Sequence, residues 1–366
     1  KVIHEHLAED PAFIKMFLDE ARIAAGIHHP NVGEILEVGE DNGLYFMIGE
    51  LVQGQSLRTL FRRAKLADVE IDATIAAYIA SQICLGAHAA HELRGQDGKP
   101  LNLIHRDISP RNVLISYTGF TKLIDFGVAW AKGRDGESEE EAMKGKIGFM
   151  SPEQVRGDPP MDRRSDVFSL GIVLYLMLVG EHPFLGKTAV ERLNKLIRGH
   201  VRPPRELCPD LDPELETIVL TALAPEMNSR FETAQQMGQK LESYLHKVDA
   251  KVGPEMLASL MESLFTEEMA DREKVLRDYR EQREMVRAVC SDGDITASFK
   301  DNAGDVAEEV TEVNEIARRR RRMMWMGGAA ALVVVAVVLV LLPMSAKDSA
   351  QSIVGTVPKQ NQSGLG

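Results

Sequence analysis

Leu103-Ile-His-Arg-Asp-Ile-Ser-Pro-Arg-Asn-Val-Leu114 is the stretch that decides the reading of this 366-residue chain. Asp107 and Asn112 lie five residues apart within it, directly after His105 and Arg106. Ten residues after Asn112 the segment Lys122-Leu-Ile-Asp-Phe-Gly127 begins. Between them, Val113–Ser116 and Thr121–Ile124 flank a Tyr-Thr-Gly turn, which predicts a hairpin. A carboxylate, an amide and a second carboxylate are thereby placed on two adjacent loops. One carboxylate can take a proton from a hydroxyl while the other two groups hold magnesium on a triphosphate.

The chain is 44% hydrophobic and 27% charged, so most of it has the make-up of a globular protein. A net charge of −12 argues against general nucleic-acid affinity, so no nucleic acid is expected among its partners. Cys84, Cys208 and Cys290 are odd in number and lack metal-ligand spacing, which reads as free thiols in a reducing compartment. No signal peptide is expected from these residues. The chain starts at Lys1 in what reads as mid-strand, and an N-terminal truncation is expected.

The segment from Met323 to Met344 contains no charged residue. About 20 apolar residues suffice to cross a bilayer as a helix. Arg318 to Arg322 precede it, and such a block marks the side that stays in the cytoplasm. One transmembrane helix over 323–344 is therefore expected, with bilayer lipid as its partner and residues 345–366 outside. Residues 291–322 read as a flexible linker ending in the Arg cluster.

The motif His-Arg-Asp-x4-Asn, the following Asp-Phe-Gly and Met150-Ser-Pro-Glu153 resemble those of bacterial Ser/Thr protein kinases of the eukaryotic type. The resemblance runs from Lys1 to about Val248. It implies an α+β, two-lobed protein-kinase fold, with an incomplete N-lobe over 1–52 and a helical C-lobe over 53–248. It implies transfer of the γ-phosphate of ATP, with Mg2+, to hydroxyls of protein substrates, in a kinase anchored to the bacterial inner membrane with its catalytic domain in the cytoplasm. Asp107 is then the catalytic base, and Asn112 and Asp125 are the magnesium ligands. Lys1 would anchor the α- and β-phosphates in a pair with Glu20, Asp19 being the lesser candidate. Backbone groups of Glu50 to Val52 would face adenine over a floor formed by Leu114, with Gly49 at the gatekeeper position. The Gly-rich strand pair that covers the phosphates is expected upstream of Lys1.

Three departures from the kinase pattern are visible, the first being Gly49 where a bulkier gatekeeper is usual. Ser109 stands where kinases acting on Ser/Thr usually carry a lysine, and Gly145-Lys146 stands where they carry Gly-Thr. An exchange of roles is expected, with Lys146 serving the γ-phosphate region and Ser109 the hydroxyl contact; Arg111 is a rival for the cationic role. The loop before Ser151 holds a single hydroxyl residue, Ser138, within the acidic run Glu137-Ser-Glu-Glu-Glu141. That run reads either as a stand-in for a phosphate or as a solvated loop.

Glu153 and Arg230 are expected to form a buried ion pair. Asp166, at the start of the apolar segment Asp166–Gly180, is expected to accept N–H groups near His105–Arg106 and to cap its helix. After Gly253-Pro254, a helical segment from about Met256 to Val289, within the 249–290 region, has three readings. It docks on the kinase, pairs with its copy in a homodimer, or is a solvated connector. The alternative to an enzyme is a pseudokinase scaffold without turnover.

Overall fold

In a computed structural model of the chain, residues 1–3, 11–41, 44–95, 97–126, 148–157, 161–186 and 188–291 are described. Ser138, Glu139 to Glu141, Lys146 and the apolar run 323–344 lie outside them. Two compact units are distinguished, Lys1–Lys274 and Val275–Gly366.

The first unit begins with a small α/β layer. Helix α1 (Pro11–Ala24) precedes strands β1 (Ile35–Asp41) and β2 (Leu44–Gly49), which pair antiparallel with Asp41 opposite Leu44. Lys1–Ile3 lies along the other side of β2, where Met47 N–H donates to Lys1 O (2.8 Å) and Ile3 N–H to Tyr45 O (2.9 Å). Side chains alternate across a strand. Tyr45 and Met47 therefore face α1, where Met47 joins Ile3, Phe17 and Ala21 in a small buried cluster.

A larger helical body follows. Strand β3 (Gly54–Ser56) leads into α2 (Leu57–Leu66), and α3 (Ala73–His91) comes next. The expected hairpin is present as β4 (Val113–Ser116) and β5 (Thr121–Leu123), joined to β3 in the order β3-β4-β5. Then come α4 (Pro152–Arg156), α5 (Arg164–Val179), α6 (Ala189–Arg198), α7 (Pro213–Ala222) and α8 (Ala234–Lys247). Polar caps start several of these helices. Ser56 Oγ accepts from Thr59 N–H, Thr188 Oγ1 from Glu191 N–H and Thr233 Oγ1 from Gln236 N–H.

Helices α3 and α5 are apolar around most of their circumference because both run through the core. Helix α3 is long and apolar enough to cross a membrane by length and composition alone, yet Ile79, Ile83 and Ala87 are fully buried inside this lobe. Asp166 does not cap α5, which corrects one expectation. The helix starts at Arg164, with Arg163 in the N-cap position, and Asp166 lies buried in the first turn. Its carboxylate is drawn to donors on another segment instead. Cys84 and Cys208 are free thiols, and burial pushes that of Cys84 up.

The chain continues beyond the expected lobe as α9 (Pro254–Ser291), bent at Phe265, where φ is −135° and ψ 28°. Leu257, Met261, Leu264 and Phe265 are buried in the main core cluster. The Arg63 guanidinium of α2 lies 5.5 Å from the Phe265 ring centre and pairs with Glu268. Pro254 O abuts the β4–β5 turn so closely that a Cβ on Gly119, whose φ is +83°, would lie 1.8 Å away. Only glycine tolerates both that conformation and that contact. The first part of this helix is thus docked on the kinase-like body.

Burial of each of these side chains is worth roughly 1.5–3 kcal/mol. Phe265→Ala should therefore lower the unfolding free energy in urea by about 3–5 kcal/mol. Val275→Ala, at a position 64% exposed, should change it by less than about 0.5 kcal/mol.

Candidate active site

The site is assembled where the loop after α3, the loop after β5 and the N-lobe strands meet. Asp107 and Asn112 are joined directly: Asn112 Nδ2 donates to Asp107 O (2.7 Å) and to Asp107 Oδ2 (3.0 Å). Across the hairpin, Asn112 O accepts from Ile124 N–H (2.9 Å), next to Asp125. Lys1 Nζ lies 3.1 Å from Asp125 Oδ1. Lys1, Asp107, Asn112 and Asp125 are thereby brought into one place by three different segments.

His105 sets the spacing between the two loops. Its Nδ1 accepts from Asp107 N–H (3.3 Å), which assigns the proton to Nε2, and Nε2 donates to Ile124 O (3.0 Å). Its ring lies 4.5 Å from that of Phe126. The ring is fully buried, so it acts as a rigid strut rather than as a solvent-exposed acid or base.

The catalytic loop is strained. Arg106 and Asp125 have φ of 65° and 63°, in the left-handed region that side chains other than glycine rarely adopt. Each such residue costs about 1–3 kcal/mol. Asp166 provides the compensation. Fully buried beneath the loop, its carboxylate accepts from His105 N–H (2.7 Å), Arg106 N–H (2.9 Å) and His91 Nε2 (2.7 Å). Hydrogen bonds to a charged group contribute about 1.5–3 kcal/mol each, so the set offsets the strain at Arg106. Burial on its own would raise the Asp166 pKa. The hydrogen bond and charge of His91, with His105, outweigh that and hold it below its ordinary value.

A second scaffold reaches the same loop from α4. Ser151 and Gln154 form a capping box, and Gln154 Nε2 donates to Arg106 O (3.0 Å). The neighbouring Glu153 forms the expected buried pair with Arg230, with contacts of 2.7 and 2.9 Å. Every donor of the Arg230 fork is used, the others going to the carbonyls of Ala224, Arg164 and Pro225. Burial tends to raise the Glu153 pKa, but Arg230 and the Ser165 hydroxyl more than offset it and lower the pKa.

The remaining candidates are placed less completely. Glu20 is on α1, but its side chain lies outside the described residues, as does all of Lys146. Among the described residues, Lys1 pairs with Asp125. Ser109 is buried, and its backbone carbonyl accepts from Asn112 N–H (2.9 Å). Leu114 is half-buried in β4, opposite Lys122. At the hinge, Glu50 N–H is taken by Glu34 O (2.8 Å), and half-buried Val52 follows two residues on. A Cβ at Gly49 would meet only Glu34 O, at 3.4 Å, so there is room for a side chain at that position.

Sequence reasoning missed three supporting residues. His91, on Asp166, and Lys122, on Glu50 (2.9 Å), bind partners far away in the chain and left no local signal. Gln154 did leave one: Ser-Pro-Glu-Gln is the pattern of a capping box.

An amide oxygen from Asn112 and a carboxylate from Asp125 are hard oxygen donors of the kind magnesium takes, completed by phosphate oxygens and water. The residues therefore fit a magnesium–nucleotide. A carboxylate held by an amide, a metal-competent pair and a lysine lying beside β2 define the class: a phosphotransferase site between the small α/β layer and the helical body.

The comparisons agree with that class. Residues 1–273 match the family model described as protein kinase domain. Over 263 residues the chain is 38% identical to the tyrosine-protein kinase MasK of Myxococcus xanthus, covering 72% of this chain and 41% of MasK. It is 37% identical to the serine/threonine-protein kinase PknB of Mycolicibacterium smegmatis, covering 70% and 40% of the two chains. To PrkC of Bacillus subtilis, a serine/threonine-protein kinase, it is 32% identical, covering 65% and 35%. Among solved structures, a double mutant of the PknI kinase domain from Mycobacterium tuberculosis matches with a TM-score of 0.50 at 22% identity, over 66% of this chain and 83% of that one. The chain belongs to the protein kinase family. It spans about 40% of the length of the first curated relatives it matches.

Both buried carboxyls, Glu153 and Asp166, have folded-state pKa values depressed from ordinary values of 4.5 and 3.8. Their contribution to stability is complete above those values and is lost as the pH falls through the lower folded-state ones. The melting temperature should therefore hold from pH 7 to about 5 and fall steeply below about 4. Arg230→Met should cost about 3–5 kcal/mol at neutral pH by leaving Glu153 buried without a partner. The gap to the wild type should narrow on acidification, because protonation relieves the orphaned carboxyl.

Proposed function

We propose that this chain is the catalytic portion of a membrane-anchored protein kinase that phosphorylates Ser/Thr hydroxyls of other proteins in signal transduction. The observation that carries the reading is the Asp107–Asn112 contact, set beside Asp125 and Lys1. Asp107 is the base that accepts the acceptor hydroxyl's proton, and Asn112 fixes its carboxylate. Asn112 and Asp125 would hold magnesium, which when bound offsets the charge of the triphosphate. Lys1 compensates phosphate charge from the N-lobe side, with Glu20 as a further partner on α1. The hinge backbone at Glu50 and Val52, with Leu114 below, receives adenine. Lys146 supplies the positive charge that Ser109 does not, and Ser109 the hydroxyl contact. Anchoring rests on the apolar run 323–344 and the Arg318–Arg322 block before it, and puts the kinase on the cytoplasmic face of the bacterial inner membrane.

The name of MasK and the serine at 109 favour a second reading, in which the acceptor is a tyrosine hydroxyl. PknB and PrkC, both named serine/threonine-protein kinases, favour the first.

Phosphotransfer from labelled ATP by the full chain, followed by phosphoamino-acid analysis, separates the two. Label on Ser and Thr is expected, and Asp107→Asn should lower the rate by about 10²–10⁴. Equal labelling by both proteins, or by neither, would remove the enzyme reading. Label confined to Tyr would replace the substrate class. Lys146→Met should lower kcat with little change in the KM for ATP, while Arg111→Met should leave kcat near wild type; the reverse pattern would move the cationic role to Arg111.

A further inference from the structure

Gly148–Met150 is a short, half-exposed segment leading into the Ser-Pro-Glu helix α4. Two consecutive carbonyls in it are held from below by side chains that the phosphotransfer site does not use. Ser169 Oγ, from within α5, donates to Phe149 O at 2.7 Å. His182, just beyond the end of α5, contacts Gly148 O through Nε2 at 2.8 Å. The tautomer follows from the other nitrogen: Nδ1 accepts from Phe184 N–H at 3.1 Å, so the proton is on Nε2 and the ring donates to Gly148. Burial pushes the His182 pKa down to about 4, so the neutral donor persists at physiological pH.

The ring is itself wedged in place. Phe149 meets it edge-on at 5.5 Å, and Phe184 lies at 6.1 Å on its way to stacking on Phe168. Arg230, the partner of Glu153, lies over Phe168. The segment is thus tied through His182 and Ser169, and helix α4, which follows it directly, is tied through Glu153 to Arg230. Next to Glu153, Gln154 holds Arg106 O, one residue from Asp107. The backbone of 148–150 consequently has a fixed place relative to the base.

Pinning the carbonyls of Gly148 and Phe149 holds the two peptide planes on either side of the Phe149 Cα, and so fixes the course of the backbone into Met150. A protein acceptor has to lay an extended backbone beside the base so that its hydroxyl reaches Asp107. The segment 148–150 offers a rigid, half-exposed shelf on the helical-lobe side of that point.

We propose that His182 is a positioning residue for the polypeptide substrate: through its bond to Gly148 it fixes the 148–150 backbone against which the peptide flanking the acceptor hydroxyl is laid. This rests on the protein-kinase reading. It assigns His182 no contact with ATP or with the transferred phosphoryl group.

The test uses the full chain and an acceptor peptide selected from a randomised Ser/Thr library. His182→Phe keeps the ring packing but removes the donor. It should raise the KM for peptide by about tenfold, the scale of one lost hydrogen bond, while leaving the KM for ATP unchanged. Amide exchange at 149–150 should quicken. His182→Gln, which returns an N–H near the Nε2 position, should bring the peptide KM back to within about threefold of wild type. Ser169→Ala removes the other pin and should also act on the peptide KM alone, so the assignment can be judged even if His182→Phe folds poorly. An unchanged peptide KM in either deletion variant, an equal rise in the KM for ATP, or His182→Gln behaving like His182→Phe would each overturn the assignment. With wild-type turnover intact, such a result removes only the role of His182; a wild-type chain that phosphorylates no peptide removes the kinase reading and this assignment with it.

Discussion

The buried carboxylate of Asp166 is the constraint on which the rest of the site depends. It has no solvent to screen it, and an unpaired buried ion costs several kcal/mol. The chain answers with donors from His91, His105 and Arg106. Two of these are backbone N–H groups of the catalytic loop, so satisfying the carboxylate and shaping the loop are the same event. The left-handed backbone at Arg106 is affordable only because that demand has to be met. Asp107 inherits its position from this arrangement, one residue after the strained one.

The ionic contacts in the structure divide by burial, and the division separates scaffold from site. Glu153–Arg230 and Asp166–His91 are almost wholly buried, and the pairs draw further hydrogen bonds from Ser165, Ala224, Arg164, Pro225, His105 and Arg106. Such pairs specify geometry, because partial satisfaction would be worse than none. Lys1–Asp125 is much more exposed, with side chains 42% and 21% accessible. In high-dielectric surroundings a pair of that kind contributes about 1 kcal/mol or less, so it can exchange partners at little cost. The buried pairs are rigid and the Lys1–Asp125 pair is adjustable.

The docked start of α9 extends the hydrophobic core past the end of α8. Its contacts with Arg63 and with the β4–β5 turn involve elements that lead directly to residues 50–52 and to Asn112 and Asp125. Strands β4 and β5 run from Asn112 to the turn and back towards Asp125, so the turn that meets Pro254 and the metal-competent pair are opposite ends of one short hairpin. An extension that reads in sequence as a charged helix with an apolar stripe is, over its first turns, part of the folded body.

The sequence by itself determined the chemistry and the succession of elements. His105 to Asn112 and Asp125 to Gly127 are contiguous motifs whose residue types have a shared use, and the runs at α3 and α5 are too apolar to lie on a surface. Glu153–Arg230 and the role of Asp166 beneath the loop were legible because they accompany those motifs. Tertiary structure decided what depends on distant partners. His91 reaches Asp166 across 75 residues, Lys122 reaches Glu50 across 72 and Gln154 reaches Arg106 across 48. It also decided that Asp166 is no helix cap. In each case the local pattern is compatible with several partners, and only packing in three dimensions, which makes an unsatisfied buried polar group costly, selects one.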